Sequence, residues 1–526
     1  MASAATTELL TQDGIATVPG ILPFKAHPLY TTWAPIWRKL AHIYDGAGGF
    51  LNGTYLVAHP REWLDYTSEN PVKPTRKLKK RRQLARYENI GATIIDEKRA
   101  SLFKQPPTRR TGEPNQKQPQ GSEHPYLDWC EDVDGSGCDM DDFLKYAWTM
   151  AAIFGHVYLY MDRPASEEAP KSLAEQKNPI LRIYTPLDVP DWLIDNNGEL
   201  TAVKMVEPIQ RTSLDEPMVT GVRYRSRYVD QENWWTSDED NGFNAPKTPH
   251  NFGRLPVAVL YSGRKALQQV IGDSVLRDPK LFIDLYNLSS ELRELLRNQT
   301  FGILNVQLGT GDQAVDVQTV KAWNGDTSGT ENVFFSPGKA DFIQPDASNV
   351  GAYQAERQYL LRTIYRLCVV HYESDTKDAK SADALKLETE SFGQLLSSYA
   401  DELEDTEYQI ADLWFRATYG ADAGPMKMDA ANLSIRWPDE FDQATVQDSL
   451  KIVQQALAID LGKTASANLK KTLVPQVLPD LPGDVAETIA SEIEAQPDQA
   501  EQQQQVLEAA MSKSRLAKPQ PKPQAA

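Results

Sequence analysis

DPKLFIDLYNLSSELRELLRNQT, residues 278–300, decides how the rest of the chain is read. Leu281, Leu285, Leu288, Leu292 and Leu295 recur in steps of four and three, the seam of an amphipathic helix that packs against other helices. At about 1.5 Å per residue such a helix is roughly 35 Å long. Downstream, helical spacing resumes at Tyr353 and runs through Leu360, Ile364 and Leu367 to His371. After the polar YESDTKDAKSADA, the stripe Phe392, Leu396, Tyr399, Leu403, Ile410 and Trp414 predicts a helix from Asp383 to Tyr419, on the order of 50 Å long. Helices of this length draw most of their stability from packing an apolar face. Stripes that one chain cannot cover are buried against further copies, and head-to-tail contacts that close make a ring. Between the first two helices, the segment to Asn349 is β-like and rich in Gly, Asp and Asn, which reads as a small inserted module.

Upstream the pattern mixes helices with strands. Leu29, Trp33, Ile36, Trp37, Leu40 and Ile43 predict an amphipathic helix over 27–43. A basic run from Lys73 to Arg110 holds thirteen Lys or Arg against three acids, with helical spacing from Leu84 to Phe103. Met140 to Phe154 is again helical; Gly155 breaks it, and HVYLYMDRP alternates with Val157, Leu159 and Met161 on one face. ILRIYTP, LTAVKMVEPI and VTGVRYRSRYV, between Ile180 and Val229, predict one small antiparallel sheet with a hairpin at Asn196, Asn197 and Gly198, and LPVAVLYSG at 255–263 predicts a further strand. The strand-like LSIRWP is followed by shorter helical segments around 446–461, 465–473 and 483–495, and the Gln, Pro, Lys and Ala beyond Lys513 predict disorder. The fold class is α+β.

Length and composition bound the function. The chain has 526 residues, 41% apolar and 24% charged, which predicts a folded chain of several regions. A formal charge of −18 argues against gripping nucleic acid over the whole surface, because phosphate binding needs Lys and Arg to displace counterions. Cys130, Cys138 and Cys368 are too few for a disulfide framework and fit a reducing cytoplasm. MASAATTELLTQDGIATVPG lacks the basic start and apolar core of an export signal, and no stretch of about 18 uncharged apolar residues occurs, so no membrane association is expected.

The phosphate-cradling GxxxxGK[ST], a strand-borne GxGxxG, HExxH and GxSxG are all missing, and no catalytic residue, metal or cofactor is expected. EDVDGSGCDMDD could offer Asp132, Asp134, Asp139, Asp141 and Asp142 to a hard cation, but it lacks calcium-loop spacing, and capping of the following helix is the favoured reading. Cys130 and Cys138 have only His124 nearby as a further soft ligand and read as incidental thiols. His371, Glu373 and Asp375 lie in a polar stretch at a helix end and read as solvated. Trp234 and Trp235 suit base stacking or core packing, with packing favoured after a β-rich stretch. The basic run suits phosphate contact, a neighbouring acidic surface or a solvated face, with contact between subunits favoured over DNA.

The order of parts resembles a known family. HPLYTTWAPIWRKLAHIYDG, then ARYENIGATIIDEKRASLFKQPP, then DDFLKYAWTMAAIFGHVYLYMDRP resemble the N-terminal half of tailed-bacteriophage portal proteins, the head-tail connectors, and especially a portal-like group with this order. DPKLFIDLYNLSSELRELLRNQ followed by YLLRTIYRLCVVHYESDTKDAKSADALKLETESFGQLLSSYADELEDTEYQIADLWF looks like the portal core. The resemblance spans about 27–440. It implies an α/β wing at 1–277, a stem helix at 278–300, a small β-containing clip at 301–350 and a second stem helix at 351–371. A tunnel loop at 372–381, a long wing helix with its return strand at 382–440, a helical crown at 441–512 and a disordered tail at 513–526 complete it.

It further implies a homo-oligomeric ring, usually a dodecamer, at one capsid vertex of the virion, assembled in the host bacterial cytoplasm. Non-specific double-stranded DNA would pass through during packaging and ejection. The partners implied are the terminase large subunit, a head-completion adaptor, and the major capsid and scaffolding proteins. Lys377 and Lys380, balanced by Asp375 and Asp378, would meet DNA at the tunnel loop, and the Leu281 to Leu295 stripe would pack the stem. The rival readings are a virion adaptor or scaffold without a channel, and a nucleic-acid-processing enzyme with an unfamiliar site around Asp132 to Asp142, which metal-dependent nuclease or ATPase activity would reveal.

Overall fold

The computed structural model describes residues 15–16, 24–58, 76–112, 124–163, 178–208, 224–237, 246–264, 270–300, 303–307, 333–336, 341–343, 348–370, 382–438 and 441. The chain divides into two units, 1–441 and 442–526. The second lies outside the described residues, and with it the expected tail and all of the expected crown after Phe441.

A two-residue antiparallel ladder, β1 (Ile15–Ala16) with β2 (Phe24–Lys25), precedes α1 (Pro28–Asp45). Pro28 occupies the first turn, where no N–H is needed, and His27 Nδ1 accepts from Leu29 N at 3.2 Å. The stripe Tyr30, Ala34, Trp37, Leu40 and Ile43 is buried, with Leu29, Trp33 and Ile36 packed at its edge. The basic run is two helices rather than one, α2 (Arg76–Leu84) and α3 (Ile90–Leu102). The break between them is held from afar: Tyr87 stacks on Phe50 at 3.9 Å and donates to Ile43 O, after which Asn89 caps Ala92 N.

Then come β3 (Thr108–Arg110), α4 (Pro125–Trp129) and α5 (Met140–Phe154), the last spanning the predicted residues. Gly155, at φ +97°, turns the chain directly into β4 (His156–Asp162); a Cβ there would lie 2.3 Å from Gly272 O, so two backbones meet where only glycine fits. β4 is the centre of a three-stranded antiparallel sheet, flanked by β5 (Ile180–Tyr184) and β11 (Val257–Tyr261), with Leu159 opposite both Ile183 and Ala258. ILRIYTP therefore belongs with β4, not with the sheet expected around LTAVKMVEPI. That second sheet is antiparallel, from β6 (Asp191–Ile194) through β7 (Leu200–Pro208), β8 (Tyr224–Val229) and β9 (Asn233–Ser237) to β10 (Thr248–Pro249). β4 also departs from its expected alternation, because both faces are buried. Val157, Leu159 and Met161 are fully covered, and on the opposite parity Trp37 meets His156 while Arg227 lies over Tyr160.

After β11 the chain enters α6 (Pro279–Thr300), and three strands, β12 (Ile303–Gln307), β13 (Val333–Ser336) and β14 (Asp341–Ile343), form a small mixed sheet. α7 (Ser348–Leu367) stops four residues before His371, since Val369 adopts φ +53° and Val370 N closes onto Tyr365 O in a helix-ending turn. α8 (Ala382–Tyr419) is the predicted long helix; Leu396, Tyr399, Leu403, Ile410 and Trp414 are buried against α3, α4, β4 and β11 of its own chain. α9 (Ala423–Ala431), which the sequence reading passes over, and β15 (Ser434–Arg436) complete the unit, with β15 pairing to β3. The fold is thus α+β, with several helices around small, mainly antiparallel sheets.

Candidate functional site

The helix pair of α6 and α7 carries the strongest sequence signal, and its two halves differ. Near its start Phe282, Leu285 and Tyr286 are buried; Tyr286 OH donates to Phe50 O at 3.0 Å, Asn287 Nδ2 donates to Tyr55 O at 2.9 Å, and Asn287 Oδ1 accepts from Val57 N at 2.8 Å. The first half of the helix is therefore docked on the chain's own 50–57 loop. Of the seam residues, Leu285 is 4% exposed, while Leu281, Leu288, Leu292 and Leu295 are half-buried. α7 returns beside α6, with Tyr353 OH donating to Glu291 Oε2 at 3.5 Å and Arg357 pairing with Glu88. Leu360, Leu361 and Ile364 turn inward, whereas Leu296 on α6 and Tyr359 and Leu367 on α7 are 41%, 60% and 42% exposed. Sequence reasoning missed Leu296 and Tyr359, because it counted the stripes and not the large apolar residues beside them; it counted Leu367 in the stripe, and the structure leaves that residue exposed. Lys377, Lys380, Asp375 and Asp378, like His371 and Glu373, lie outside the described residues.

The carboxylates singled out near α5 are engaged locally. Asp139 caps the helix by accepting from Asp142 N at 2.7 Å, Asp134 accepts from Ser136 N and Cys138 N, and Asp132 accepts from Gly137 N. Asp141 pairs with Arg109 at 2.7 Å. The capping reading accounts for Asp139 directly. Cys130 is buried, its thiol pushed up to about 12 chiefly by that burial. Among the described residues no group of three or more His, Cys, Asp or Glu has a metal-holding arrangement, and no helix is long and apolar enough to cross a membrane.

Two buried ion clusters tie the sheets and helices together. Arg109 from β3 binds both oxygens of Glu407 on α8, and Trp437 Nε1 donates to Glu407 Oε2 at 3.0 Å. Burial still outweighs these donors and leaves Glu407 above the usual carboxylate range. Between the β4 sheet and the five-stranded sheet, Tyr184, Arg225 and Arg227 all donate to Glu207, while Arg182 and Arg227 pair with Asp162. Burial pulls Glu207 upward, but Arg227 and these hydrogen bonds hold it below its ordinary value. Trp235 stacks on Tyr228 at 5.3 Å with Lys247 4.2 Å from its ring centre, and Arg227 lies over Trp234, so both indoles pack against the chain itself.

The basic run is not uniformly solvated. Lys98 is 1% exposed and sits over Tyr399, and its burial brings it down to about 8. Arg81 donates to Val57 O, and Arg109 is committed to Glu407. Lys79 and Arg86 are exposed and Arg82 is half-buried.

No protein-family model and no curated protein matches the sequence. Among solved structures, the chain is similar in part to one described as "Neck of empty GTA particle computed with C6 symmetry". The TM-score is 0.41 at 11% identity, over 73% of this chain and 90% of that one.

Proposed function

We propose that the chain is a portal subunit: a structural protein without a catalytic step of its own, forming a ring, in the familiar case a dodecamer, at one capsid vertex. The observation that carries this reading is the excursion from α6 through β12, β13 and β14 and back along α7. Two helices of 22 and 20 residues leave the wing body, are joined through a small sheet, and expose Leu296, Tyr359 and Leu367, before the 38-residue α8 returns to be buried. This is the part order that the sequence resemblance implies, and the exposed apolar side chains are those a laterally packed copy would cover.

In this reading double-stranded DNA passes along the ring axis while the terminase large subunit, and later the head-completion adaptor, dock on the 301–350 module. A chain of formal charge −18 suits passage rather than capture, because acidic residues along a bore repel phosphates and let an external motor drive the duplex without unbinding it at each step. Lys377 and Lys380 would meet the backbone at the narrowest point.

Electron microscopy of the purified protein tests this. Rings with an open axial hole support the portal reading; solid or irregular particles assign the chain to virion adaptors or scaffolds. Replacing Lys377 and Lys380 together by Ala should change DNA packaging or retention and leave ring mass unchanged, and loss of the ring would refute the loop assignment.

A further inference from the structure

The charge of the chain is placed unevenly. Thirteen of its 55 Lys and Arg, but only three of its 73 Asp and Glu, lie between Lys73 and Arg110, so that segment is +10 in a chain of −18. Lys98, Arg81 and Arg109 are turned inward, whereas Lys79, Arg82 and Arg86 make no ion pair among the described residues. The adjacent acid, Glu88, is already taken by Arg357 at 2.5 Å. The 50–57 loop lies on the same helix, since Arg81 donates to Val57 O and a Cβ on Gly53 would collide with the Arg82 side chain. That loop exposes Leu51 (80%) and Val57 (69%), and Leu84 at the end of α2 is 48% exposed beside Arg293, which donates to Leu84 O. The result is a joint basic and apolar patch on the flank of α6.

α8 shows the opposite. Four acids fall within Asp401–Asp405, and Asp401 and Asp405, one turn apart and both exposed, make no ion pair among the described residues. Like charges at this spacing destabilise a helix. Burial, and then the carboxylates of Asp405 and Asp401, hold Glu402 above its usual range although Arg264 pulls it down. Each patch lacks its complement within the described part of its own chain.

We infer that the α2 patch docks on the Asp401 and Asp405 turn of α8 in a second copy of this chain. This rests on the ring reading above and names one contact that builds it. The two surfaces differ, so the contact is heterologous and propagates head to tail until it closes. A protein occupant is favoured over DNA because Leu51, Val57 and Leu84 flank the bases and phosphate cannot cover them. Tyr87, next to Arg86 in sequence, has a face already stacked on Phe50. Opposed charges then fix the register and speed the encounter.

The test uses two full-length variants, K79E/R82E/R86E and D401K/D405K, and reads assembly mass against concentration. Each alone should raise the concentration at which the assembly forms by about tenfold or more. An equimolar mixture should return to the parental mass, because each variant supplies the patch the other has lost, and this rescue also shows that both are folded. Either variant assembling like the parent, or a mixture that stays small, overturns the inference while leaving the ring reading intact. So does a triple variant that loses affinity for a short DNA duplex at unchanged mass. A parent chain that never self-associates removes the ring reading itself.

Discussion

Removing the Arg109 guanidinium isolates a carboxylate that water cannot reach. Glu407 is fully buried and takes hydrogen bonds from Arg109 Nε, Arg109 Nη2 and Trp437 Nε1, so Arg109→Ala leaves it a single donor. Breaking a buried pair from one side costs about 3–5 kcal/mol, mostly through the charge left behind. Asp141 also loses its partner, but it is partly exposed in the first turn of α5, where water and the helix dipole compensate. The deficit should depend on pH with a definite sign. Glu407 already lies above its ordinary value, and without Arg109 it rises further above the unfolded value of about 4.3. A carboxyl with a raised folded pKa contributes stability below the unfolded value and loses it as pH climbs through the folded one. The variant should therefore be worse at pH 8 than at pH 5. Urea unfolding at both pH values reads this from the midpoint at constant slope. The double change Arg109→Met with Glu407→Leu should recover most of the loss, since neither charge is then stranded. An Arg109→Ala chain within about 1 kcal/mol of the parent at pH 8, or a deficit equal at both pH values, would refute the reasoning.

Substitutions in the helix pair test folding and the proposed assembly separately. Leu285→Ala should cost about 2–5 kcal/mol in the same urea assay because Leu285 is buried against its own chain. Leu296→Asp with Tyr359→Asp should leave the unfolding midpoint unchanged and lower assembly mass; the reverse ranking would move the interface elsewhere. His156 is fully buried, and burial alone lowers it to about 3, with His42, His124 and His250 lowered in the same direction. The unfolded chain then binds more protons below about pH 6.5, so stability should fall as pH drops from 7 to 5. His156→Leu should flatten that slope, and an unchanged slope would show that the other histidines carry it.

What the sequence discloses here is what local physics decides. The stripe of α8, the ends of α5 and the start of α1 follow from spacing and caps such as Asp139 and Pro28, all within a few residues of the helix they control. What it conceals is set across the chain. The split between α2 and α3 depends on Tyr87 reaching Phe50, and the docking of α6 depends on Asn287 meeting Val57, 230 residues away. Ile183 pairs with Leu159 rather than with the strands after it, a choice of partner that no alternating pattern encodes. For the candidate site, the Leu281 to Leu295 spacing marks a helix, but the exposure of Leu296 and Tyr359 required knowing which of its faces the rest of the chain covers.

Self-association around an open axis is the claim on which the rest depends. Sedimentation of the purified chain at micromolar concentration, followed by imaging of the same sample, addresses it most directly. The expected result is one species near twelve times 58.9 kDa, seen end-on as a perforated ring. A stable, folded particle of a single 58.9 kDa chain would contradict it.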